Sequence, residues 1–373
     1  MRFSDIVGQD ELVQKFIHLI QTGHLPHAIM LLGPEGSGGL PLALAATQYL
    51  MCTDRSETDS CGECSSCTKM NRLQHPDVHF SFPTCKLDTK SPVSNDFILD
   101  FRDFVTQQPY GLDTDWLKFI KSEKQGNITA AECREIIQKL QLRSFESEYK
   151  VMIMWCPEYL GNEGNILLKL IEEPTAKTIL MFVANNMDEV LQTIQSRTQL
   201  FPLRRISDSA IQQALIRLGT PAEKALQIAR MAVGNYQEAI SILHQAGEDW
   251  LGLLRDWLNA IYANKGLELV SWSHQMADLP KDSQKKFLEY VLQLFEHLVR
   301  YRANGPERLA LLESEQKIIE VLLAKGFHSS KLAASHELLN DSLYQIERNA
   351  NGKILFHSLS LRLQEIMVAK ELA

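Results

Sequence analysis

No apolar run in this 373-residue chain approaches the ~20 residues that a membrane-crossing helix needs. The opening Met1-Arg2-Phe3-Ser4-Asp5 likewise lacks the apolar core of a secretory signal. Both absences predict a cytoplasmic protein with no membrane partner. Positive charge is also short, since 38 Lys and Arg against 46 Asp and Glu leave a formal net charge of −8. Strong binding of nucleic acid by the chain alone needs clustered cations to neutralise phosphates, so any such contact is expected to be local or supplied by other chains. With 45% hydrophobic and 23% charged residues the chain is neither disordered nor fibrous, and its length predicts two or three domains.

The seven cysteines are an odd number and unevenly spread. Cys52, Cys61, Cys64 and Cys67 are spaced C-x8-C-x2-C-x2-C, with Gly62 supplying a flexible turn. In a cytoplasmic chain this pattern argues for a metal rather than disulfides. Four thiolates around tetrahedral Zn²⁺ make a closed, structural site; an iron–sulfur or redox-labile cluster is the alternative. Cys85, Cys133 and Cys156 stand in separate segments and read as buried small hydrophobes.

The apolar stretch Ala28 to Leu32 runs into a glycine-rich loop, Gly33-Pro34-Glu35-Gly36-Ser37-Gly38-Gly39-Leu40, and then into a helix-like segment beginning near Pro41. A phosphate-binding loop reads G-x-x-x-x-G-K-[ST], its lysine on the β/γ-phosphates and its hydroxyl on Mg²⁺. Gly33 and Gly38 stand at the glycine positions, but Gly39 replaces the lysine and Leu40 the hydroxyl. Read by itself, the segment is either a phosphate loop without its chemistry or an ordinary strand-to-helix turn.

Asp10 is expected to cap a helix with Leu12, Phe16, Leu19 and Ile20 on its apolar face, and Leu42, Ala43, Ala46, Tyr49 and Leu50 mark a second, amphipathic one. Val78 to Phe82 alternates as a short strand does. Between residues 84 and 127 Pro92, Pro109 and Gly111 break the pattern, with a helix through Phe97, Leu99, Phe101 and Phe104. Thr129 and Glu132 form a capping-box signature ahead of Cys133, Ile136, Ile137 and Leu140. Lys150 to Trp155, Thr178 to Ala184 and Gln199 to Leu203 read as strands, and Asn165 to Ile171 as a helix stopped at Pro174. Strands alternating with helices predict a mostly parallel sheet covered on both faces. After Arg205 the strands stop: three short helices precede residue 246, and helices continue to the end, with Leu288, Val291, Leu292, Phe295 and Val299 forming one apolar stripe.

Together these segments resemble the clamp-loader branch of the AAA+ ATPases. The resemblance rests on Phe3-Ser4-Asp5-Ile6-Val7-Gly8-Gln9, on His24-Leu25-Pro26-His27-Ala28, on the inserted cysteine quartet, on Asn165-Ile166-Leu167-Leu168-Lys169-Leu170-Ile171-Glu172-Glu173-Pro174, and on Ser196-Arg197-Thr198, which matches the family's S-R-C motif at two of three positions. It implies a P-loop NTPase-like α/β AAA+ domain over 1–205 with a zinc-binding insertion about 52–67, a three-helix lid over 206–245 and an all-helical C-terminal oligomerisation collar over 246–373. It also implies that Arg197 reaches the ATP of a neighbouring subunit.

Several family features are missing. Trp155 and Cys156 stand where the family ATPases carry an acidic pair, Gln237 and Glu238 where a lid arginine belongs, and Glu158 reads as a surface residue. Asn185 or Asn186 lies near the family's sensing position. With Gly33, Gly36, Gly38, Gly39 and Leu40 as a degenerate loop, no ATP is expected in this chain. The function implied is a non-hydrolysing clamp-loader subunit of the bacterial DNA polymerase III holoenzyme, without polymerase or ATPase activity of its own. Its partners would be the ATPase subunits and a delta subunit in a hetero-oligomeric ring that loads the sliding clamp on primed DNA. The alternative is a nucleotide-binding or active clamp-loader ATPase subunit with a reorganised site.

Overall fold

The computed structural model describes residues 1–85, 91–122, 126–245, 250–304, 313–327 and 329–368. They form two compact units, Met1–Leu243 and His244–Ala373. In the first unit the elements run α1 (Asp10–Gln21), β1 (Ala28–Leu32), α2 (Gly39–Met51), α3 (Ser65–Asn71), β2 (Val78–Ser81), α4 (Ile98–Gln107), α5 (Asp113–Phe119), α6 (Ala130–Gln141), β3 (Lys150–Trp155), α7 (Leu168–Glu172), β4 (Thr178–Ala184), α8 (Gln192–Gln195) and β5 (Gln199–Pro202). Three helices follow: α9 (Asp208–Arg217), α10 (Ala222–Met231) and α11 (Tyr236–Gln245).

All five strands are parallel, in the order β2-β3-β4-β1-β5. Because side chains alternate across a strand, each central strand feeds two cores. Ile29, Leu31, Val151, Ile153, Ile179, Met181 and Val183 join α1 and α2 on one face. Ala28, Met30, Met152, Met154, Leu180 and Phe182 join Cys133, Ile136 and Leu140 of α6 on the other. Burial on both faces is why β3 and β4 read as unbroken apolar runs. Helices α9 to α11 close a separate core around Ile211, Leu215, Ala225, Ile228 and Ala239.

Some local expectations are corrected. Gln9, at a left-handed φ of 63°, holds the cap position of α1, and Asp10 is the first helical residue. Every residue of α2 from Leu40 to Met51 is buried, so that helix is enclosed rather than amphipathic. Leu99 is 69% exposed although its neighbours Phe101 and Phe104 are buried. Thr129 accepts from the Glu132 N–H at 3.2 Å, but the Glu132 carboxylate turns to the Ser94 N–H at 2.7 Å, so the capping box is half made. The segment before α7 is a 3-10 helix over Pro157–Leu167, broken at Gly161.

The second unit comprises α12 (Trp250–Tyr262), α13 (Gly266–Asp278), α14 (Lys281–Asn304), α15 (Glu313–Ala324), α16 (Ser329–Glu347) and α17 (Gly352–Val368). Trp257 and Trp272 stack at 4.5 Å between ring centroids, and Trp257 Nε1 donates to Ser360 Oγ at 2.9 Å. Leu288, Val291, Leu292 and Phe295 of α14 are buried, while Val299 is 53% exposed and leaves the stripe. Among the described residues no helix is long and apolar enough to cross a membrane.

Candidate functional site

The glycine loop joins β1 to the N-terminus of α2. Gly36 and Gly38 take φ of 68° and 92°, conformations that L side chains disfavour. The space around them is filled. A Cβ on Gly36 would lie 1.8 Å from Asn235 Oδ1, and one on Gly38 would lie 2.8 Å from Tyr110 Cε1. The Tyr236 N–H donates to Gly36 O at 3.1 Å, so α11 begins against the loop. Gln9 Nε2 donates to Ser37 O at 3.1 Å and to Arg204 O at 2.6 Å, while the Tyr110 hydroxyl accepts from the Val7 N–H at 2.8 Å. Between Ser37, Tyr110, Trp155 and Val183 a cavity of about 20 Å³ remains. That holds about one water molecule, far below the volume of a ligand pocket.

Beyond the ends of β3 and β4 lies a larger cavity of about 760 Å³. Glu35, Asp113, Glu158, Glu163 and Glu189 line it. Cys156 enters it through a left-handed turn at φ 58° and is fully enclosed, so burial pushes its thiol well above the ordinary range. Glu158 is corrected from surface residue to tether: its Oε1 accepts the N–H groups of Asn185 at 2.5 Å and Asn186 at 3.0 Å, and its Oε2 is buried without a hydrogen-bond partner among the described residues. Burial raises the Glu158 pKa against those two donors. Burial also raises that of Glu35, with Asp113 and Asp115 adding repulsion. Phosphate oxygens brought here would meet carboxylates rather than a lysine. The Asn186 side chain is occupied by Asp188 and Glu189 in a local turn.

Arg197 stands just past α8, two residues before β5. Its Nε donates to Glu172 Oε1 at 2.6 Å, and its Nη1 donates to Thr193 O at 3.0 Å and Ser196 Oγ at 3.3 Å. The side chain is 33% exposed. Thr198, in place of the family cysteine, donates back to Gln195 O at 3.2 Å.

The four cysteines converge. Cys52 ends α2, Cys64 caps α3 and accepts from the Cys67 N–H at 3.4 Å, and Cys61 lies between them. All four Sγ atoms lie within 4.8 Å of one another, the nearest pairs at 3.5 to 4.0 Å. Four sulfurs at ~2.3 Å from Zn²⁺ sit ~3.8 Å apart, so the donor set fits such an ion. Around the quartet the structure adds residues that spacing does not reveal. Asp59 accepts the Phe3 and Ser4 N–H groups at 2.9 and 3.0 Å, and Asp77 accepts those of Glu146 and Ser147 at 2.9 and 2.8 Å. Tyr110 and Asn235 also escape sequence reading, and Glu172, quoted there within the Asn165 to Pro174 motif, is given no role by it. Tyr110 carries a weak signal, an aromatic between Pro109 and Gly111.

Five parallel strands in this order, a glycine loop after β1 and an arginine before β5 define a P-loop, AAA+ type of protein. The chain belongs to the family described as DNA polymerase III, delta subunit, whose model matches residues 8–207. It is similar to DNA polymerase III subunit delta' of Bacillus subtilis (strain 168), with 22% identity over 363 residues and 96% of each chain covered. It is 24% identical over 250 residues to the gamma/tau subunit of Mycobacterium tuberculosis (strain ATCC 25618 / H37Rv), covering 65% of this chain and 36% of that one. Among solved structures, a DNA polymerase III gamma subunit-related protein from Thermotoga maritima aligns with 95% of this chain and 99% of its own, at 15% identity and a TM-score of 0.39. The chain is thus a DNA polymerase III subunit of clamp-loader type.

Proposed function

We propose that this subunit neither binds nor hydrolyses ATP and instead supplies Arg197 to the ATP site of a neighbouring ATPase subunit. The observation that carries the reading is the contrast between the two ends of the site. The loop lacks the lysine and the hydroxyl, the cavity over Gly36 to Leu40 holds about 20 Å³ and the larger one beside Glu35 is lined by carboxylates, whereas Arg197 is partly exposed with Nη2 bonded to nothing among the described residues. A guanidinium on a γ-phosphate stabilises the charge of phosphoryl transfer, and its geometry is that of a fork rather than a point charge. In this reading the partners are the ATPase subunits and a delta subunit, arranged in a ring through residues 246–373. The three helices over 206–245 act as a lid, and the ring loads a sliding clamp on primed DNA. The quartet Cys52, Cys61, Cys64 and Cys67 holds one structural Zn²⁺, which cross-links the insertion.

The test is reconstitution of the full chain with its ATPase partners, clamp and primed DNA. Arg197→Ala is expected to remove the share of stimulated hydrolysis that arises at the adjoining site, since such an arginine contributes about 10³ or more to kcat. Unchanged hydrolysis rules out the role. Micromolar binding of a labelled ATP analogue by the isolated chain would instead favour a reorganised nucleotide site.

A further inference from the structure

Arg197 is pinned on two of its three nitrogens. Nε is held by Glu172, the last residue of α7, and Nη1 by the Thr193 carbonyl of α8, both within hydrogen-bond reach. Thr193 is itself fixed, because its Oγ1 donates to Asn165 Oδ1 at 2.9 Å and Asn165 Nδ2 donates to Asn162 O at 2.9 Å. Two residues of one segment, Asn165 and Glu172, therefore fasten the α8 segment at two points, one near its middle and one on the arginine. A planar guanidinium whose Nε and Nη1 are engaged has its rotation about the side-chain axis set, and Nη2 is the donor left for an incoming oxygen. The carboxylate also keeps the group as a directed, charge-assisted pair rather than a freely rotating chain.

We propose that Glu172 is a positioning residue for Arg197. It fixes the guanidinium so that Nη2 is presented to a phosphoryl oxygen of a nucleoside triphosphate held by the adjoining subunit, with Asn165 holding the segment from which Arg197 projects. The inference rests on the trans role of Arg197. Glu172 touches no substrate and acts only through the arginine.

Two measurements on the full chain separate this inference from the reading beneath it. In the isolated protein, Glu172→Ala is expected to speed solvent exchange of the Arg197 Nε–H about fivefold by NMR, the scale of an exposed ion pair. Glu172→Gln, which keeps an acceptor at the same reach, is expected to restore slow exchange. Since Glu172 is half exposed and alanine favours helix, the variant folds. In the reconstituted assembly, Glu172→Ala is expected to lower kcat of the adjoining site about tenfold, between the few-fold worth of an exposed pair and the hundredfold cost of a 1 Å misplacement. KM for ATP should hold, Glu172→Gln should recover most of the rate, and the loss should vanish in an Arg197→Ala background. Unchanged exchange, or a rate loss that persists without Arg197, overturns the positioning role. An Arg197→Ala assembly that hydrolyses normally overturns the trans reading itself, whatever the exchange rates show.

Discussion

Gly36 shows how tightly the loop is committed to its present shape. Its φ of 68° costs an L residue roughly 1–2 kcal/mol, and its missing Cβ is the space that Asn235 occupies. Gly36→Ala is therefore expected to lower stability by about 2 kcal/mol, read from urea unfolding. Asn235 also caps α11, its Oδ1 accepting the Glu238 N–H at 3.0 Å, so Asn235→Ala has a cost of its own. The two changes made together should cost less than their sum, because the second relieves the first. Strictly additive effects would mean that the loop and α11 do not press on each other.

Residue-scale legibility in the sequence followed the same division. The glycine spacing and the cysteine spacing stand out because each is a local pattern tied to a chemistry, whereas Arg197 is picked out only by the resemblance of Ser196-Arg197-Thr198 to the family motif. Tyr110, Asn235 and Glu158 do not stand out, because each acts through a contact formed only when distant segments meet. Glu158 lies three residues past β3 and was expected at the surface; what defines it is a pair of N–H groups after β4.

At the scale of elements, β1 and β3 are readable as apolar runs and β4 as an apolar, β-branched one, while α5 is hidden among the breaks around Pro109 and Gly111. The sequence marks α2 in place but as a two-sided helix, whereas it is enclosed, since alanine and leucine do not reveal whether a second face is covered. The insertion is the element most open to test. Helix α3 spans only Ser65–Asn71, well short of the ~12–15 residues an isolated helix needs, and its cap is Cys64 itself. With zinc bound as proposed, elemental analysis should find one ion per chain. Chelation or Cys64→Ala should accelerate hydrogen exchange across 52–75 while the central strands stay protected. Metal-free protein with four titratable thiols in the quartet and unchanged exchange would remove the site.

For the whole molecule, acid stability should carry the mark of His79 in β2. Burial, with Lys139 adding repulsion, lowers its pKa from 6.5 to about 4. The folded state therefore prefers the neutral ring, and the unfolded chain takes up the proton first as pH falls. The stability gained from the neutral form is complete above pH 6.5 and is lost on the way down to about 4, by about 3 kcal/mol at most. Glu35, Glu132 and Glu158, whose pKa values are raised chiefly by burial, act in the opposite sense just above the ordinary carboxylate range. Comparison with His79→Gln isolates the histidine: the variant should show a shallower loss between pH 6.5 and 4, and identical slopes would contradict the assignment.

The parallel pairing of β1 with β5 sets a direction on the protein. The loop leaves the C-terminal end of β1 at Gly33, while Arg197 precedes β5, whose Gln199 is in register with Ile29 near the start of β1. Several residues of strand, at ~3.3 Å each, hold the two apart along that axis. The arginine and the loop of one copy are thus kept at opposite ends of the same rigid ladder. In the proposed trans role, the arginine end of this ladder must therefore meet the loop end of its neighbour's, so two subunits set side by side in the same orientation and at the same height could not make the contact.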